Sequence, residues 1–268
     1  MLRVLVLDLN RVPGRTISPP PKIASRQSKA STEPSSFSSK WALNSKQLQL
    51  RVRECQFSFA SPPAMKKCKI LAWNPHSLKP KVSEINHFLS QSPHDILLFS
   101  ETWLSDSNIF INGFNVYQMN RAHGGVALFI KSGIPHSELR TISTDYAEAV
   151  SIKVEDPVNP FTIAVLYCSP SASRAQAQSF FMKVLSLPGP IVISGDFNAK
   201  HQAWNNTKFD RKGLDLFKLS QTKNFVIHPP DGPTLIPVNG GQPSIVDFVL
   251  SRDVLGVSNP VVSAPYRT

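Results

Sequence analysis

A layered α/β sandwich is the fold class predicted by this 268-residue sequence, and three observations predict it. Short runs rich in Val, Ile, Leu and Phe, bounded by turn residues, recur at strand length from about residue 68 onward. Three longer stretches between them place apolar residues at helical spacing. Near 113–168 the strands follow one another without a helix, a hairpin-like middle that argues against a strict βαβ series.

Taken in order, the strands are predicted at 68–73, 95–100, 125–131, 147–154, 161–168, 190–195 and 245–250. Leu78 to Ser90 reads as a helix because Val82, Ile85, Phe88 and Leu89 fall on one face. Ser173 to Leu185 and Gly213 to Lys223 follow the same rule, the latter through Leu214, Phe217 and Leu219. A hydrophobic content of 41% supplies a core for one large domain, and no internal repeat is present.

Residues 1–64 read differently. From Arg11 to about Ser61 the chain is rich in Ser, Pro, Lys and Arg, so 1–64 is expected to be a disordered basic extension and 65–268 the folded domain. The extension holds 10 Lys/Arg against 3 Asp/Glu, and the rest 19 against 15, so most of the +11 net charge belongs to it. Such a tail suits an anionic partner or a solvated segment equally well. Cys55, Cys68 and Cys168 are too few and too scattered for a disulfide framework or a zinc knuckle, which points to a reducing, intracellular setting. No apolar run approaches the ~18 residues of a membrane span.

Polar residues gather at strand ends. Pro190 to Ser194 is a buried-type strand that stops at Gly195-Asp196-Phe197-Asn198, an acid and an amide two residues apart. Asn74 follows Ile70-Leu71-Ala72-Trp73, Glu101 follows Ile96 to Ser100, Tyr167 ends Ile163 to Leu166, and Asp247 follows Ser244-Ile245-Val246. A carboxylate such as Glu101 at the end of an apolar strand is costly unless something positive meets it. Mg²⁺ takes only one or two protein carboxylates, so Glu101 with Asn74 would form a thin metal shell. Asp196 suits proton transfer and Asn198 suits donation to a charged phosphate. Singly, each has a plainer reading: an exposed loop Glu, an Asx turn, a core Tyr.

Six segments together resemble a known family. They are Leu71-Ala72-Trp73-Asn74, Ser100-Glu101-Thr102-Trp103, Arg121-Ala122-His123-Gly124-Gly125-Val126-Ala127, Tyr167-Cys168-Ser169-Pro170, Gly195-Asp196-Phe197-Asn198-Ala199-Lys200-His201 and Ser244-Ile245-Val246-Asp247-Phe248. Their order and spacing resemble the endonuclease/exonuclease/phosphatase superfamily over about 65–258, and more narrowly the endonuclease domain of Jockey-type non-LTR retrotransposons. The resemblance implies a DNase I-like four-layer αββα sandwich of two packed mixed sheets, with its site at one end. It implies Mg²⁺ or Mn²⁺ on Asn74 and Glu101, scissile-phosphate contacts from Tyr167 and Asn198, proton transfer at Asp196, and an Asp247 that orients a histidine. The substrate would be double-stranded DNA held mainly by its backbone, the protein a nuclear monomer, and the nick a source of 3′-hydroxyl for reverse transcription. Arg121, Lys200, His201, Lys208 and Arg211, with Lys212, are the candidate nucleic-acid contacts.

The sequence departs from the family at one point. The closing Ser-Asp-His motif, which supplies the histidine for Asp247, is absent from the printed residues, and no His follows His228. The expectation is a domain lacking its last strand, with a bare sheet edge and impaired catalysis. Two alternatives accompany the nuclease reading: a DNA-binding or relic domain without activity, and a phosphodiesterase of the same superfamily acting on another substrate.

Overall fold

The computed structural model describes residues 4–10, 67–105 and 108–263. Its strands are β1 (Val4–Asn10), β2 (Lys67–Trp73), β3 (Ile96–Ser100), β4 (Phe114–Met119), β5 (Val126–Lys131), β6 (His136–Ser143), β7 (Ala147–Val154), β8 (Phe161–Cys168), β9 (Ile191–Asp196), β10 (Val226–His228), β11 (Asp247–Arg252) and β12 (Val261–Ser263). The helices are α1 (Val82–Gln91), α2 (Arg174–Val184) and α3 (Arg211–Thr222). One sheet has the order β12-β1-β2-β3-β5-β4 and the other β10-β11-β9-β8-β7-β6.

The layers follow from side-chain alternation. Successive residues of a strand face opposite sides of the sheet, and here both sides are covered. Ile70, Ile96, Leu98 and Leu128 of the first sheet meet Val150, Ile163, Val165 and Val192 of the second in one cluster between the sheets. The intervening Leu71, Leu97, Phe99 and Phe129 turn outward and pack with Ile85 of α1. On the far side, Ala164, Leu166 and Ile193 meet Phe180 and Phe181 of α2 and Leu216 of α3. Helix, sheet, sheet, helix is therefore the observed stacking, an αββα sandwich.

Two parallel pairs orient the site. Strand β2 runs parallel to β3, with α1 between them, and β8 runs parallel to β9, with α2 between them. Local chemistry starts these helices where they start. A capping box opens α2, in which the Ser173 hydroxyl accepts from the Gln176 amide and the Gln176 side chain accepts from the Ser173 amide. Asp210 caps α3 by accepting from Gly213 N at 2.6 Å, which moves its start back to Arg211 from the expected Gly213.

Residues 4–10 correct the expectation of an extension running unbroken from 1 to 64. Strand β1 pairs antiparallel with all seven residues of β2, and β12 pairs with its other side. The reason is its alternation: Leu5, Leu7 and Leu9 are buried between the sheets. Lys67 also pairs with Asp8 at 2.8 Å, and Ser258 Oγ accepts from Asp8 N at 2.9 Å. Strand β1 thus covers the edge of β2, and β12 in turn pairs with β1. Residues 11–66, including Cys55 and the rest of the expected extension, lie outside the described residues. Among the described residues no helix is long and apolar enough to cross a membrane.

Candidate active site at the strand ends

The strand ends meet at one rim. Asn74 and Glu101 each lie one residue past β2 and β3, Tyr167 is the penultimate residue of β8, and Asp196 ends β9. Strand β11 runs the other way, so its first residue, Asp247, arrives at the same end and sits opposite Asp196 in the register. Tyr167 sits opposite Asp196 on the other flank. Asn74 Nδ2 donates to Asp196 Oδ2 at 3.1 Å, a buried bond that joins the ends of the two sheets.

Backbone geometry turns these side chains into the rim. Glu101 (φ 50°) and Asn198 (φ 44°) both occupy the left-handed region, uncommon for residues with a Cβ and typical of sites where surrounding structure holds strain. Gly195 has φ 143°, and a Cβ there would lie 2.0 Å from the Leu166 carbonyl oxygen, so only glycine lets β9 pass β8 before Asp196. Asn198 N donates to Asp196 Oδ1 at 2.9 Å, and Asn198 Nδ2 donates to the Cys168 carbonyl at 3.0 Å. Below this loop Phe197 stacks on Phe248 at 4.1 Å, while buried Trp204 stacks on Phe248 at 4.6 Å and donates to the Ala199 carbonyl.

The electrostatics are those of an acidic cluster in want of a cation. Burial raises Asp196 well above the ordinary carboxylate range, and the neighbouring Asp247 and Glu101 carboxylates raise it further, against hydrogen bonds from Asn198 and Asn74. Burial likewise raises Asp247, with Glu101 adding to it and a bond to Thr234 opposing. Tyr167 is held in its phenol form by burial and by Glu101 and Asp196. Among the described residues no three His, Cys, Asp or Glu side chains form a ready metal cluster. The mutual repulsion of three carboxylates is what a dication relieves, so the donor set fits Mg²⁺ or Mn²⁺ on Glu101 and Asn74.

Other candidates have structural duties. Arg121 forms an ion pair with the wholly buried Glu148, and its guanidinium also donates to the carbonyls of Thr144 and Asp145. His201 accepts from Ala203 N at 3.1 Å and stacks on Phe217 at 4.4 Å. Those contacts engage both side chains within the fold. Lys212 donates to the Pro170 carbonyl at 3.0 Å. Lys208 and Arg211 are exposed and Lys200 is half-buried. Two residues near the site escaped the sequence reading. Glu148 faces Tyr167 in register; a Glu amid the apolar 147–154 run was its signal. His76 Nδ1 lies 2.8 Å from Glu101 Oε2, and only its place two residues after Asn74 hinted at it.

Comparison with known proteins places similarities over most of the folded part. A family model described as endonuclease-reverse transcriptase matches residues 161–266. The RNA-directed DNA polymerase from mobile element jockey of Drosophila melanogaster is 29% identical over 189 residues, covering 68% of this chain and 20% of that protein. The polymerase assigned to transposon X-element of the same fly is 28% identical over 201 residues, covering 72% of this chain and 22% of its own length. In sequence the chain is thus similar to an endonuclease-reverse transcriptase family over 161–266 and to Jockey-type mobile-element polymerases over about two thirds of its length. It spans about a fifth of the length of the curated relatives it matches. The endonuclease domain of TRAS1, a telomere-specific non-LTR retrotransposon, has a similar fold, with a TM-score of 0.58 at 19% identity, over 69% of this chain and 84% of that one. The Leishmania major AP endonuclease LMAP has one too, with a TM-score of 0.54 at 14% identity, over 70% and 79%.

Proposed function

We propose that this rim is the catalytic centre of a divalent-metal-dependent endonuclease that nicks duplex DNA and leaves a 3′-hydroxyl for target-primed reverse transcription. The hydrogen bond from Asn74 to Asp196 carries the reading, because it ties the metal-binding side of the site to the proton-transfer side. Glu101 and Asn74 would hold the ion, which when bound supplies positive charge against the phosphate. Tyr167, kept protonated, is a hydroxyl donor for a phosphate oxygen, and the amide of Asn198 is a second donor. Asp196, whose surroundings favour the proton, suits taking one from the attacking water. The new bond is water oxygen to phosphorus and the broken bond is phosphorus to O3′; the proton Asp196 takes from water passes to the leaving O3′, directly or through solvent, so the products are a 5′-phosphate and a 3′-hydroxyl. A DNA-binding domain without cleavage is the second reading, favoured by the hydrogen bond that already engages the Asp247 carboxylate with Thr234.

Supercoiled plasmid incubated with the full chain and Mg²⁺ tests this. The expected result is open circles whose nicks prime a DNA polymerase, with the rate falling about 10²- to 10⁴-fold in Asp196→Ala and Glu101→Ala. Nicking that survives both substitutions refutes the site. Salt-sensitive duplex binding by a folded protein that never nicks selects the second reading.

A further inference from the structure

We infer that His76 is a third ligand of the metal at this rim, giving the site a nitrogen donor and a preference for Mn²⁺ over Mg²⁺. The inference rests on the reading that Glu101 and Asn74 hold a divalent ion. Its geometric basis is the 2.8 Å separation of His76 Nδ1 from Glu101 Oε2. Two donors on adjacent corners of an octahedral ion, each about 2.1 Å from it, lie about 3 Å apart. The pair is therefore spaced as cis ligands are.

The chain fixes His76 more firmly than a surface ion pair requires. Its amide donates to Asn74 Oδ1 at 3.0 Å, which holds the His76 backbone beside that amide oxygen. That oxygen keeps a second lone pair. Ser77 N donates to the Glu101 carbonyl at 3.0 Å and Leu78 N to the Thr102 carbonyl at 2.9 Å, lacing the segment to the loop that carries Glu101. Leu78, fully buried, anchors the end of this lacing. His76 (φ 51°) and Ser77 (φ 93°) are two consecutive non-glycine residues in the left-handed region, a conformation that persists only where the surroundings impose it. The ring packs on Trp103 with centroids 4.0 Å apart, and Trp103 meets His123 edge-on at 5.5 Å. An imidazole that is 56% exposed gains little from one carboxylate alone. A metal shared with Glu101 accounts for the strain and for the fixed ring.

The chemistry sets the preference. Mg²⁺ binds almost wholly through oxygen and water, whereas imidazole suits the first-row transition ions, of which Mn²⁺ also accepts the carboxylate and amide oxygens present here. The test uses the full chain and metal ions alone. Mn²⁺ bound to the wild type is expected to show nitrogen modulation in pulsed electron paramagnetic resonance, and His76→Gln is expected to lose it. The same substitution should weaken Mn²⁺ about tenfold or more in calorimetric titration while leaving Mg²⁺ within about threefold. Mn²⁺ bound without nitrogen coupling, or with unchanged affinity in His76→Gln, overturns the inference. If Glu101→Gln still abolishes that binding, the metal-dependent reading stands without it. Failure of either ion to bind the folded wild type removes both.

Discussion

The two sheets deliver their halves of the site by different means. The second sheet presents Tyr167, Asp196 and Asp247 from three neighbouring strands in register, within the sandwich. The first presents Asn74 and Glu101 just beyond strand ends, on a loop laced by backbone bonds and a histidine. Its β2 leans on β1, a strand that returns from more than fifty residues upstream. One half is therefore held by direct register between paired strands, and the other stands on loops beyond a sheet whose edge β1 closes.

The sharpest way to break the comparison is to remove β1. Each of the buried Leu5, Leu7 and Leu9 contributes about 1.5–3 kcal/mol, so their loss approaches the roughly 5–15 kcal/mol that holds a whole domain together. A chain of residues 65–268 is expected to unfold cooperatively in far less urea than the full chain, or to aggregate. Equal urea midpoints would show that β1 is dispensable. On the other sheet, Gly195→Ala should cost at least about 3 kcal/mol, since the added methyl meets the Leu166 carbonyl and φ is unfavourable. Circular dichroism during denaturation reads this; a change under about 1 kcal/mol would mean that β8 and β9 separate easily.

Beneath the rim the expected effects are smaller. Arg121→Ala strands the Glu148 carboxylate in the interior. Losing one partner of a fully buried pair costs about 3–5 kcal/mol, and the arginine's partial exposure lowers this to about 2 kcal/mol. The double variant with Glu148→Ala should lose less than the two singles added, and strict additivity would refute the pairing. The smallest effect is a pH slope. Asp196 and Asp247 bind protons more tightly folded than unfolded, so their contribution is full below the unfolded value near ~4 and fades as pH rises through the folded values. In chelator, raising pH from about 5 to 8 should lower the urea midpoint of wild type more than that of Asp247→Asn, and a parallel decline would refute the assignment.

Much of this architecture was legible because buried strands leave continuous apolar runs. Ala147–Val154 and Phe161–Cys168 were found at their observed bounds. Strand β6 was not separately visible, since nearly all of it is exposed and no apolar pattern marks it. Strands β10 and β12, three residues each, are too short to show a period. Val4–Asn10 alternates as a strand should, and its position before a Ser- and Pro-rich stretch hid it. At the site, strand-end acids and amides could be read because each interrupts an apolar run. His76 could not, because its place beside Glu101 comes from two left-handed residues in a loop.

The distance between β1 and β2 also has a consequence for synthesis. At roughly 5–20 residues per second, Val4–Asn10 leaves the ribosome several seconds before its partner does. Throughout that interval a short, aliphatic, sparsely charged segment waits with its backbone unpaired, and Val261–Ser263 arrives later still. The nascent chain is thus most vulnerable to aggregation before its first sheet can begin to form.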